Sequence, residues 1–123
     1  MTEFRSTCPI ACTLDLVGDR WTLLILRDMF LGKSRYDEFL ASPERISTNI
    51  LADRLRRLEA AGLLCKRPYG QHRKRMCYEL TERGRSLGPV LQAIVRWGLE
   101  NIPGTERFAF HTPAEGASPD AQQ

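Results

Sequence analysis

At 123 residues, with 42% hydrophobic and 27% charged residues, the chain has the size and balance of one globular domain. No apolar run reaches the roughly 18 residues that a bilayer span needs, and the opening MTEFRSTCPI lacks the pattern of a secretory signal. The expected setting is therefore the cytoplasm, with no membrane partner and with the four cysteines as reduced thiols. The formal charge of +3 is unevenly spread. Residues 66–85 hold seven basic side chains against two acidic ones, whereas residues 1–32 hold three against four and residues 86–123 two against four. Positive charge gathered in one segment suits a surface that meets a polyanion, although a solvated face has the same composition.

In chain order, Pro9 suits the first position of a helix, where its missing N–H costs nothing. Ile10, Ala11, Leu14 and Val17 then recur at helical spacing up to Gly18. Asp19 can cap a second helix that runs to Leu31 and stops at Gly32. Its segment is apolar around much of its circumference, which predicts a central core helix or a subunit contact. Ser34 is the expected cap of a short third helix with Tyr36, Phe39 and Leu40 facing inward. Pro43 forbids continuation, so residues 42–46 form a turn.

Ser47 caps a fourth helix that Gly62 closes. Leu51, Leu55 and Leu58 form its inward row, which turns Asn49, Asp53, Arg56, Arg57 and Ala60 outward, with Thr48 at the N-terminal edge. Strands are expected over residues 63–69 and 76–81, joined by a basic tip, Gly70-Gln71-His72-Arg73-Lys74-Arg75. Thr81 then starts a long helix, bent near Arg85 because Pro89 lies inside it, and Pro103-Gly104 ends it. The domain plan is an N-terminal arm over residues 1–7, a folded unit over 8–102 with dimerisation helices at its two ends, and a flexible tail over 103–123.

Helix, helix, short helix, turn, helix, hairpin and long helix describe a mainly α fold with a small β-hairpin, a winged helix-turn-helix. The fourth helix can enter a major groove of double-stranded DNA, where Ser47, Thr48 and Asn49 offer donors and acceptors to base edges. Capping is the primary role of Ser47. Arg56 and Arg57 lie further along, where phosphates are the expected targets, and Arg73, Lys74 and Arg75 of the wing can follow the backbone or enter the minor groove. A competing reading is a winged helix whose same surfaces meet protein. The sequence holds no Gly-rich phosphate loop, paired histidines or Ser/His/Asp grouping, so it suggests no enzyme and no cofactor.

The run Cys8-Pro9-Ile10, Leu14, Val17-Gly18-Asp19-Arg20-Trp21-Thr22-Leu23-Leu24-Ile25-Leu26-Arg27 resembles the start of HxlR-type transcriptional regulators. The resemblance continues through Arg35-Tyr36-Asp37-Glu38-Phe39, Ile46-Ser47-Thr48-Asn49-Ile50-Leu51 and Arg54-Leu55-Arg56-Arg57-Leu58-Glu59-Ala60-Ala61-Gly62. It closes with Tyr78-Glu79-Leu80-Thr81-Glu82-Arg83-Gly84 and Trp97-Gly98, so it spans roughly residues 8–102. It implies a MarR-like winged-helix homodimer joined through its first and last helices, binding palindromic operators, commonly as a repressor. Arg35 is also counted among the expected DNA contacts. One departure is the wing, where Gln71-His72-Arg73-Lys74 stands in place of the family's frequent proline-containing approach to the second strand.

The resemblance further implies that Cys8 occupies the position through which some members sense electrophiles or oxidants. A physical reason runs beside it, since a thiol at a helix N-cap faces orphan N–H groups and the positive end of the dipole. The alternative is an unreactive thiol. Cys12 reads as a packing residue, and Cys8 with Cys12 supplies only half of a tetrahedral metal site, so no metal is expected. Cys65 and Cys77 read as strand or core thiols on neighbouring strands; a disulfide between them is geometrically open but unfavoured in a reducing compartment. The expected subunit contact draws on the apolar excess of the first two and last helices, with Trp21, Phe30 and Trp97.

Overall fold

The computed structural model describes residues 4–69 and 72–107. Helix α1 (Pro9–Val17) starts at its proline and stops at Gly18, whose N–H returns to the Leu14 carbonyl. Asp19 then bends the chain into α2 (Thr22–Phe30), its Oδ2 accepting the N–H groups of Trp21 at 3.0 Å and Thr22 at 3.2 Å. Gly32, just past the end of α2, has φ +102°, a conformation that a side chain would strain. Helix α3 (Tyr36–Leu40) and helix α4 (Thr48–Ala60) follow, separated by the turn that Pro43 enforces.

The cap of α3 differs from expectation. Arg35, not Ser34, is the N-cap residue, and the Glu38 carboxylate folds back to accept the N–H groups of Ser34 and Arg35 at 2.8 and 3.0 Å. Those two bonds hold the Glu38 carboxyl below its ordinary range. Ser34 serves the wing instead, its carbonyl accepting the Tyr78 N–H at 2.7 Å beside an antiparallel bridge between Arg35 and Cys77.

Strands β1 (Leu64–Tyr69) and β2 (His72–Leu80) form the antiparallel hairpin. The second strand begins earlier than expected, so Arg73, Lys74 and Arg75 belong to a strand rather than to a loop. Pairing runs from Leu64↔Leu80 to Pro68↔Met76 and then jumps to Tyr69↔His72, which places the basic triplet in an irregularity opposite Pro68. Proline has no N–H to offer the ladder, so the break falls there.

The single long C-terminal helix is in fact two. Helix α5 (Glu82–Arg85) is capped by Thr81, whose Oγ1 accepts the Gly84 N–H at 3.1 Å, and helix α6 (Gly88–Asn101) carries Pro89 in its first turn. A proline inside a helix removes a bond and clashes with the preceding turn, so the chain breaks at Ser86-Leu87 and restarts with Pro89 where it is tolerated. Gly84 is pressed against the Leu63 carbonyl, which would lie 2.0 Å from any added Cβ.

The core centres on Leu26, Phe30, Phe39, Leu51 and Leu64, all under 2% exposed. Leu51, Leu55 and Leu58 are buried as the helical spacing predicts. Phe30 is fully enclosed, so it belongs to the core and is withdrawn from the expected subunit contact. The expected tail over residues 103–123 lies outside the described residues from position 108 onward, and the first three residues of the arm do too.

Candidate nucleic-acid interface

The leucine row of α4 faces the core, so its opposite side is left to solvent. Ser47 Oγ accepts the Ile50 N–H at 3.2 Å, which makes it a working cap, and Thr48 and Asn49 stand exposed on the first turn. Two contacts fix this turn and the helix behind it. The Tyr36 hydroxyl donates to the Thr48 carbonyl at 2.6 Å, and Arg54 Nε pairs with Asp19 Oδ2 at 2.8 Å. Trp21, not Asp19, is the N-cap residue of α2, but the Asp19 carboxylate accepts the N–H groups that open the helix and holds α4 at once. Burial pushes its carboxyl up, but bonds from Thr22, Arg54 and the Trp21 N–H outweigh that and hold it at about 2.

A second network braces the turn ahead of α4. Arg27 grips both Glu44 and Asp28 at 2.8 Å, and the Ser42 hydroxyl donates to the buried Asp28 carboxylate. The Glu44 carboxyl is lowered chiefly by its bond from Arg27. Within the same turn Arg45 is exposed and adopts φ +62°, the left-handed region that costs an ordinary side chain about 1–2 kcal/mol. Strain of this kind collects at functional positions. The left-handed backbone of Arg45 has no signal in the spacing, whereas Asp53, three and four residues before Arg56 and Arg57 on the outward side of α4, has one.

The expected phosphate arginines of α4 are solvent-facing, Arg56 at 69% and Arg57 at 66% side-chain exposure, yet neither stands alone. Both pair with Asp53 at 3.1 Å, as does Arg54 at 2.5 Å. Arg35 sits at the base of the wing, bridged through its backbone to Cys77 and paired with Glu38 at 3.2 Å and Asp37 at 3.7 Å. The side chains of Arg73, Lys74 and Arg75 lie outside the described residues, so only their backbone position in β2 is established.

Cys8 is exposed at the N-cap of α1, and Cys12 one turn on donates its thiol to the Ser6 carbonyl at 3.2 Å. Cys65 lies opposite Glu79 and Cys77 opposite Arg67, so the two strand thiols are not cross-strand partners. All four are free, and among the described residues no three His, Cys, Asp or Glu side chains gather as a metal site would require. No described helix is long and apolar enough to cross a membrane.

Apolar side chains are exposed on the two terminal helices. Ile10 and Leu14 mark one face of α1, and Val90, Ile94 and Trp97 mark one face of α6, with Ile102 just beyond it. Trp21 is half-buried beneath the Arg20 guanidinium, 5.3 Å from the ring centre.

The HxlR-like helix-turn-helix family matches residues 16–106. The chain is 41% identical over 110 residues to the uncharacterised HTH-type transcriptional regulator Rv3095 of Mycobacterium tuberculosis, covering 86% of this chain and 69% of that one. Among solved structures, PA1607, a candidate transcription factor, superposes with a TM-score of 0.75 at 38% identity, over 86% of this chain and 75% of that one. The redox regulator HypR in its reduced form superposes with a TM-score of 0.71 at 34% identity, over 78% and 95%. With a capped helix presenting a polar outer face, a tight turn ahead of it and a two-stranded wing behind it, the chain belongs to the HxlR-like helix-turn-helix family of transcriptional regulators.

Proposed function

We propose that this regulator binds a palindromic operator in double-stranded DNA as a homodimer, acting as a repressor, with Cys8 as a thiol switch. The observation that carries the reading is the outer face of α4, where a capped first turn exposes Thr48 and Asn49 for base contacts. Behind them Arg56 and Arg57 offer charge to phosphates, with Arg35, Arg73, Lys74 and Arg75 as further backbone contacts. The exposed apolar faces of α1 and α6 support a two-fold dimer, and a two-fold dimer reads a palindrome. The working compartment is the cytoplasm, and the chain acts by binding rather than by catalysis.

Exposure of Cys8 at the start of α1 supports the switch, because the thiol is open to an electrophile or oxidant and lies on a helix assigned to the subunit contact. The redox regulator HypR shares this fold at 34% identity, which favours the same class of signal. The test is selection of duplexes from a random pool, followed by gel shift of the enriched sequence with and without diamide. Diamide takes two electrons and two protons from two thiols and leaves one disulfide. Retardation of a palindromic duplex that diamide abolishes in the native protein, but not in Cys8→Ser, is the expected result. No enrichment of any sequence overturns the DNA reading, and equal behaviour of the two proteins removes Cys8.

A further inference from the structure

We propose that Asp53 is an electrostatic brake on the DNA-facing surface of α4, holding down sequence-independent affinity by neutralising the arginines around it. This rests on the reading that the outer face of α4 meets DNA. Asp53 stands on the side of the helix opposite Leu51, Leu55 and Leu58, one turn beyond Asn49, and its side chain is 34% exposed. A carboxylate there faces a polyanion when the helix docks, which on its own opposes binding. Its surroundings explain what it does. Oδ1 takes Arg56 at 3.1 Å, and Oδ2 takes Arg57 at 3.1 Å and Arg54 at 2.5 Å.

Arg54 is already matched by Asp19 at 2.8 Å, so its charge is spent inside the protein. Asp53 is left to offset one of the two exposed guanidiniums, Arg56 or Arg57, and the face presents about one net positive charge instead of two. Binding to DNA without sequence preference comes almost wholly from phosphate neutralisation and counterion release, so removing one effective cation lowers it directly. A weaker sequence-independent term lowers the fraction of protein held on competing sites relative to free protein and leaves the operator-to-competitor ratio unchanged. The pairs with Arg56 and Arg57 are exposed on the arginine side, and ion pairs of that kind add little to folding stability.

The test uses the full chain, a duplex enriched by the native protein from a random pool, and a scrambled duplex of equal length. Affinity is read by fluorescence anisotropy across a monovalent salt series. Asp53→Asn is expected to steepen the slope of log K against log salt by about 0.9 on both duplexes, and to tighten binding about 5- to 10-fold near 0.1 M salt. Asp53→Glu, which keeps the charge, is expected to retain the native slope. In an Arg56→Gln, Arg57→Gln background, Asp53→Asn should no longer steepen it. An unchanged slope in Asp53→Asn, with native binding intact, overturns the brake and leaves the DNA reading standing. Loss of discrimination at a single base pair without a change of slope makes Asp53 a base reader and equally overturns the brake. Absence of salt-sensitive binding by the native protein overturns both.

Discussion

The outer face of α4 and the outer faces of α1 and α6 are both exposed, but they are exposed in different ways. On α4 the polar groups are already engaged within the chain: Asp53 with three arginines, Arg54 with Asp19, the Thr48 carbonyl with Tyr36. On the terminal helices Ile10 at 71%, Trp97 at 61% and Leu14 at 53% exposure are left mostly uncovered by the described residues. Water satisfies a charged face without penalty, whereas a bare indole keeps its hydrophobic cost until another surface covers it. The contrast separates a surface that one chain completes from surfaces that one chain leaves unfinished.

The largest expected effect tests the unfinished side. If α6 meets its own copy, Trp97→Ala removes a ring from each half of the contact, at about 2 kcal/mol per ring. The dimer dissociation constant should then rise about a thousandfold, measured by sedimentation. A dimer of unchanged strength would end the contrast by moving the contact elsewhere. Next is the brace behind the finished side. Asp19→Ala should lower folding stability by about 2 kcal/mol, because the bonds to the N–H groups that open α2 and the grip on Arg54 go together.

The same residue predicts a pH dependence of known sign. Its carboxyl titrates at about 2 in the folded chain against 3.8 ordinarily, so its stabilisation is complete above roughly pH 4 and lost as pH falls through 2. Urea unfolding between those values should show a shallower acid decline in Asp19→Ala than in the native chain; parallel declines would exclude the linkage. The smallest effect is at the first turn of α4. Ser47→Ala should cost about 1 kcal/mol in thermal unfolding, reporting the cap alone. A loss several times larger would mean that Ser47 holds more than the Ile50 N–H.

Much of this layout was legible because it is local. Pro9, Gly18, Gly32, Ser47 and Gly62 punctuate the helices where the chain itself requires a start or stop, and the Leu51, Leu55, Leu58 row announces which side of α4 is inward. The departures from expectation also have local causes. Pro89 restarts a helix instead of bending one, and Glu38 shifts the cap of α3 from Ser34 to Arg35 by reaching back to both N–H groups. The candidate site was legible in outline, since Thr48, Asn49, Arg56 and Arg57 do share the exposed side of one helix.

The long-range pairings were not legible, because they join residues that spacing does not relate. Asp19 and Arg54 are 35 positions apart, and Arg27 and Glu44 are 17 apart, so only the packed fold brings each pair within 2.8 Å. The same holds for burial: Phe30 and Trp97 read alike as large apolar residues on apolar helices, yet one is sealed in the core and the other is 61% exposed. Periodicity and capping, which act within a few residues, were enough for the elements up to the hairpin and for the polar outer side of α4, and the ordered motifs were enough for the family. The packed fold settled that Asp19 takes up the charge of Arg54, and which apolar faces remain uncovered, because both depend on contacts made across the fold.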